Sequence, residues 1–170
     1  MLIVMGGLPG TGKSTLAKGL ARTLLAVHIR IDTIEQSLRD FGLSTVTSEG
    51  YELGYRLARD NLILGNTVIA DSVNPIEITR QAWRQVAQKH SIPVIQIETI
   101  CSNAEEHQNR VETRTSQIEG LVLPTWGQVQ AREYEPWHTA QIIIDTANET
   151  PEESLQRTLT KLKEHQLSDQ

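Results

Sequence analysis

The chain has 170 residues, enough for one domain with its own core and too few for two ordinary ones. Hydrophobic residues make up 38% and charged residues 22%, which excludes a disordered chain, and no apolar run approaches the ~20 residues of a membrane span. The net charge of -5 argues against a broad basic face for extended nucleic acid, and the single cysteine, Cys101, excludes an internal disulfide and fits a reducing cytoplasm.

Met1 to Met5 is apolar, but Gly6-Gly7 ends the run and no basic residue precedes it, so it reads as a buried first strand and not as an export signal. The predicted strands are Leu2–Met5, Val27–Ile31, Thr67–Ala70, Pro93–Glu98 and Gln141–Ile144. Four of them are nearly continuous apolar runs, the pattern of strands covered on both faces. After the first strand, Leu16, Leu20 and Leu24 mark a helix, with Gly19 inside it packed closely on the sheet. Ile34 and Leu38 suggest a helix that Asp32 could cap. Leu53, Leu57, Ala58 and Leu62 suggest another. Asn74-Pro75-Ile76-Glu77 supplies a start signal for a helix with the stripe Ile78, Ala82, Val86. Ser102-Asn103-Ala104-Glu105 reads as a second capping box. Thr150-Pro151-Glu152-Glu153 opens a closing helix striped by Leu155, Leu159 and Leu162.

The order β-α-β-α-α-β-α-β-α-β-α with right-handed crossovers predicts a three-layer α/β/α sandwich in one domain over residues 1–170. Gln117–Trp137, with Gly120, Pro124, Gly127 and Pro136, is the least regular part. It is expected to be mobile and to belong to a lid within 103–137.

Gly7-Leu8-Pro9-Gly10-Thr11-Gly12-Lys13-Ser14 fits the phosphate-loop pattern G-x-x-x-x-G-K-[ST], and it stands between a strand and a helix as the pattern requires. Glycines let the backbone curl so that N–H groups face a triphosphate, and the next helix aims its positive end there. Lys13 can reach the β- and γ-phosphates of ATP or GTP. Ser14 can ligate Mg²⁺, with Thr15 beside it. Three acids follow strands: Asp32, Asp71 and Asp145. Asp32 is the candidate base for an attacking hydroxyl. Asp71 closes a Walker-B-like run and can serve Mg²⁺ or substrate, with Ser72 and Asn74 offering substrate hydrogen bonds, although the same residues favour turns. Asp145 is read as shaping the loop against the base. Arg110 and Arg114, four apart, share a helix face; Arg110 would stack on the base or grip a phosphate, and Arg114 would face the moving phosphoryl. The histidines show no metal-ligand spacing. Trp83 and Trp137 read as packing, Trp126 as a lid residue near ligand, and Cys101 as a buried small hydrophobe.

With these residues the chain resembles the small P-loop kinases related to polynucleotide kinase, within the AAA-type ATP-binding kinases, and more loosely chloramphenicol phosphotransferase, gluconate kinase and adenylylsulfate kinase. The likeness rests on Gly7–Thr15, Ile31-Asp32, Val68 to Ser72 followed by Asn74-Pro75, Arg80 to Trp83, and Arg110 with Arg114. It implies a nucleoside-kinase-like P-loop NTPase with a five-stranded parallel sheet and an arginine-bearing lid, acting on ATP and Mg²⁺. It further implies that Asp32 activates the acceptor and that Arg114 contacts the transferred phosphate. Polynucleotide kinases carry an arginine three residues after the base, where this chain has Glu35; Arg30 or Arg39 could substitute. The expected activity is phosphoryl transfer to the hydroxyl of a small molecule. A 5′-hydroxyl nucleic-acid kinase and a module that binds or hydrolyses ATP without an acceptor are the alternatives. Oligomeric state is left open.

Overall fold

Leu2, Ile3, Val4 and Met5 have no exposed surface in the computed structural model, which describes residues 1–168, because β1 (Leu2–Gly6) is the middle strand of the sheet. Around it lie β2 (Val27–Arg30), β3 (Val68–Asp71), β4 (Val94–Ile100) and β5 (Ile142–Asp145), all parallel, in the order β2-β3-β1-β4-β5. Successive residues of a strand point to opposite faces, so β1 divides two cores. Leu2 and Val4 pack with Ala58, Leu62, Trp83 and Ala87, and Ile3 and Met5 with Leu16, Leu20, Ile97 and Leu162. The first core is covered by α3 (Glu49–Ile63) and α4 (Glu77–Gln88), the second by α1 (Lys13–Leu24) and α7 (Pro151–Ser168). The fold is an α/β P-loop NTPase sandwich. Among the described residues no helix is long and apolar enough to cross a membrane.

Several local expectations change. Asn74 does not start a helix: α4 begins at Glu77 behind Ile76, while Asn74 is fully buried at φ 49 and donates its amide N–H to Met5 O at 2.8 Å. The burying face of α4 is Arg80, Trp83 and Ala87, and Ile78 is 74% exposed, so the expected stripe is rotated. In α5 (Ala104–Thr113) the cap is Asn103, one residue later than expected, accepting from Glu106 N–H. The Thr150 capping box forms as expected, with reciprocal bonds to Glu153. Gly19 packs against Leu155 of α7 and not on the sheet; a Cβ there would stand 3.0 Å from a Leu155 methyl. The irregular segment contains a short helix, α6 (Trp126–Gln130), with its own Thr125–Gln128 capping box. Cys101 is half-buried, not buried. In α3, Leu53 and Leu57 are part-exposed, and Gly50, Gly54, Ala58 and Leu62 form the buried face.

Arg80 ties the segment after α6 to the loop after β3. It is fully buried and donates to four carbonyls: Asn74, Pro75, Glu135 and Pro136, at 2.7 to 3.3 Å. Its guanidinium also stacks near Tyr134 and Trp137, 5.2 and 4.8 Å from their centroids. Replacing it leaves buried carbonyls unpaired. Arg80→Met is expected to lower unfolding stability by about 3 kcal/mol, read from urea denaturation.

Candidate active site

The carboxyl ends of β1, β3 and β2 lie side by side, and each is followed by residues of the site. The loop after β1 turns through Gly7, Gly10 and Gly12, all at positive φ. The first two also admit no side chain: a Cβ on Gly7 would stand 2.3 Å from Thr99 O, and one on Gly10 would stand 2.5 Å from a Val111 methyl. The loop carbonyls are taken up by the protein. Thr146 donates to Thr11 O, His107 to Pro9 O and Thr11 to Leu8 O, each at 2.9 Å. Gly12 is the helix cap and supplies no side-chain acceptor. The first N–H groups of α1 therefore face the cavity in front of the loop, an arrangement suited to an anion.

That cavity, of about 450 Å³, is lined by Leu8, Pro9, Gly10 and Gly12 through Thr15, together with Asp32, Ser72 and Arg114. Gly7 and Thr11 lie behind the lining and brace the loop. Behind its wall Lys13 Nζ donates to Asp71 Oδ1 at 2.8 Å, and Ser14 Oγ donates to the same oxygen at 3.1 Å, while Asp71 itself is 1% exposed and does not line the cavity. His28 Nε2 donates to Asp71 Oδ2 at 3.1 Å. Burial alone would raise the Asp71 pKa, but the Lys13 ammonium and the His28 bond outweigh it and hold the carboxyl well below the usual carboxylate range. Asp71 is thus ionised beside Ser14.

Asp32 is the second residue of α2 (Ile31–Asp40), whose cap position is Arg30, so it is not the helix cap expected of it. It lines the cavity from the β2 side. Arg30 stands between the acids, 3.9 Å from Asp32 and 4.0 Å from Asp71. Glu35 lies one turn on and pairs with Arg39 at 3.4 Å. Burial, and next the charge of Asp32, push the Glu35 pKa up. Arg114 is not on a helix face with Arg110: α5 ends at Thr113 and Arg114 is its extended cap residue. There it borders the cavity, and burial, only partly opposed by Asp32, lowers its pKa.

A second cavity of about 350 Å³ lies on the other side of the loop and shares Gly10, Gly12, Thr15 and Arg114 with the first. Arg110 and Thr146 line it. The Arg110 donors are engaged by Thr146 Oγ1 and O, both at 2.8 Å, and by Glu106 at 2.5 Å. These three bonds fix the guanidinium at the wall of the second cavity. Asp145 lies outside both linings; its Oδ1 accepts from Ser102 and Ala147 N–H and sets the loop that carries Thr146. Asn74, too, lies outside the lining and is occupied with Met5 O. Trp126 packs edge-on against His107 at 5.0 Å and does not line either cavity.

Sequence reasoning missed His28, His107 and Arg132. His28 reaches Asp71 because β2 pairs with β3, His107 holds Pro9, and Arg132 joins the cavity wall. Histidine spacing carries no trace of such contacts. The one usable signal was alternation: His28 and Arg30 are two apart on a strand and share a face.

Several known proteins are similar. A shikimate kinase of Enterococcus faecalis is 26% identical over 173 residues, covering 95% of this chain and 98% of the relative. An uncharacterised protein of Mycobacterium tuberculosis is 36% identical over 105 residues, 53% of this chain; the match spans only 21% of that longer protein. Among solved structures, the adenylylsulfate (APS) kinase of Mycobacterium tuberculosis, in complex with AMPPNP and APS, superposes with a TM-score of 0.68 at 16% identity, covering 95% of this chain and 96% of that one. That likeness extends the fold to the edges of the sheet. Residues 2–136, from the first strand through the phosphate loop, both acids and the arginine-bearing segment, match the AAA domain family, and the chain belongs to that family.

Proposed function

We propose that the chain is an ATP-dependent kinase that moves the γ-phosphoryl group onto the hydroxyl of a small molecule. The observation that carries this reading is the placement of Asp32 in the same cavity as Lys13 and Ser14, with Arg114 bordering both halves of the site. A pure hydrolase needs no second carboxylate facing a pocket beyond the phosphates. The named kinases among its relatives support the reading.

Each group then has a task. Adenine lies in the second cavity against the face of Arg110 and near Thr146. Lys13 turns from Asp71 to the β- and γ-phosphates. Ser14 and Asp71 supply a hydroxyl and an ionised carboxylate converging at 3.1 Å, a donor set that fits Mg²⁺, which takes one or two protein ligands and completes its shell with phosphate oxygens and water. When bound, Mg²⁺ neutralises charge on the phosphates. Asp32 accepts the proton of the acceptor hydroxyl as that oxygen forms a bond to the γ-phosphorus and the bond to the ADP oxygen breaks. Arg114 compensates charge on the phosphoryl group in transit. The 121–124 strap, Leu-Val-Leu-Pro, borders the cavity as part of a lid that excludes water.

The wall also narrows the acceptor. It carries Lys13, Arg30, Arg39, Arg114 and Arg132 against Asp32 and Glu35, in a chain of net charge -5. Such a local excess of cations suits an acceptor with an oxyanion of its own. The Glu35–Arg39 pair and the small volume disfavour a nucleic-acid strand. The test is ADP release with a panel of alcohols in matched pairs, with and without a carboxylate or phosphate. Acceptor-dependent turnover, strongest for an anionic member, is expected. Equal turnover with and without every acceptor would favour an ATP-hydrolysing module instead.

A further inference from the structure

Asp71 is a buried carboxylate whose two oxygens have different partners. Oδ1 accepts from Lys13 and Ser14, and Oδ2 accepts from His28 at 3.1 Å, with Arg30 Nε further off at 4.0 Å. Only 1% of Asp71 is exposed, so water cannot replace a lost partner. The proposed function requires Lys13 to leave Oδ1 for the phosphates. At that moment the carboxylate loses its nearest cation, and a buried carboxylate without fixed partners either rotates toward new ones or takes up a proton. Ser14 does not suffice to hold it, because its hydroxyl is the other group that faces the metal.

His28 is the contact that stays. It sits on β2, two residues before Arg30, and the β2–β3 register that sets Arg30 opposite Asp71 turns both side chains to the same face. The rest of the ring borders a separate cavity of about 620 Å³ along the outer edge of β2, together with Lys18, Asn61 and Gln117. That cavity does not include the phosphate loop, so a nucleotide can bind without displacing the ring. We infer that His28 is a positioning residue: its Nε2–H pins Asp71 Oδ2, so that Oδ1 keeps facing Ser14 and the metal after Lys13 has turned to the nucleotide. The inference rests on the nucleotide site proposed above and concerns the chain's own residues around it.

The test compares His28→Gln, whose amide N–H extends about as far as Nε2, with His28→Asn, one methylene shorter. Calorimetry measures ATP affinity for each protein with and without Mg²⁺. His28→Asn should lose roughly tenfold of the enhancement that Mg²⁺ gives to ATP affinity, the scale on which partners of metal ligands act. Its ATP affinity without Mg²⁺ should be unchanged, and His28→Gln should recover most of the enhancement. The role is overturned if His28→Asn keeps the full magnesium enhancement. It is equally overturned if affinity falls by the same factor with and without Mg²⁺, or if Gln and Asn behave alike. A wild-type protein that binds no ATP would overturn the nucleotide site itself, and this role with it.

Discussion

Lys13→Ala is expected to abolish phosphoryl transfer, with turnover falling about 10³-fold or more, because the ammonium is the charge that follows the β- and γ-phosphates into the transition state. The same change acts on the empty protein. Lys13 is 7% exposed and holds Asp71 at 2.8 Å, so its loss leaves a buried carboxylate with His28 as its main support. Breaking a buried pair from one side costs about 3 kcal/mol. The sign of the pH effect follows from the depressed Asp71 pKa. The stability it contributes is present above the unfolded carboxylate range, near pH ~4, and is lost as pH falls toward the lower folded value. Removing Lys13 shrinks the depression, so Lys13→Ala should have less carboxylate-dependent stability to lose on acidification. Thermal melting between neutral and acid pH, beside an ADP-release assay, checks both effects. Wild-type turnover in Lys13→Ala would remove the phosphate loop from the mechanism.

Asp32→Asn is expected to separate binding from chemistry. The residue lies on α2, across the cavity from the loop, and its near neighbour is Arg30 at 3.9 Å, not Lys13 or Ser14. ATP affinity should therefore hold. The rate of acceptor phosphorylation should fall at least ~10²-fold, since the amide cannot take the hydroxyl proton. Single-turnover measurements with saturating ATP and acceptor distinguish this from weakened acceptor binding. An unchanged rate would mean that another group, with Glu35 the nearest candidate, removes the proton.

How much of this was legible in the sequence depends on how local each feature is. The phosphate loop is eight consecutive residues whose glycines and lysine have one joint use, and the structure places six of them on one cavity, with Gly7 and Thr11 behind it. The parallel sheet followed from apolar runs alternating with helices, and Asp71 fell beside Ser14 because β3 neighbours β1. Features that depend on strand order were out of reach. His28 looked like an unremarkable strand residue because the identity of its neighbouring strand is a tertiary fact. Asn74-Pro75 misled for a related reason. The Asn-Pro pair is a good helix start by local preference, yet Asn74 is used at positive φ to bond Met5 O across the sheet, and the helix waits until Glu77. Arg80 reversed the burial of α4, since a charged residue that satisfies four carbonyls takes an inner position that hydrophobicity assigns to Ile78. The Arg110–Arg114 spacing assumed an unbroken helix; α5 stops at Thr113, and Arg114 reaches the cavity from an extended residue instead.

The most direct measurement is a calorimetric titration of the purified protein with ATP in the presence of magnesium. Saturable one-to-one binding, lost or greatly weakened in Lys13→Ala, is the predicted result. No detectable heat of binding at millimolar ATP from a folded wild-type protein would contradict the account at its root.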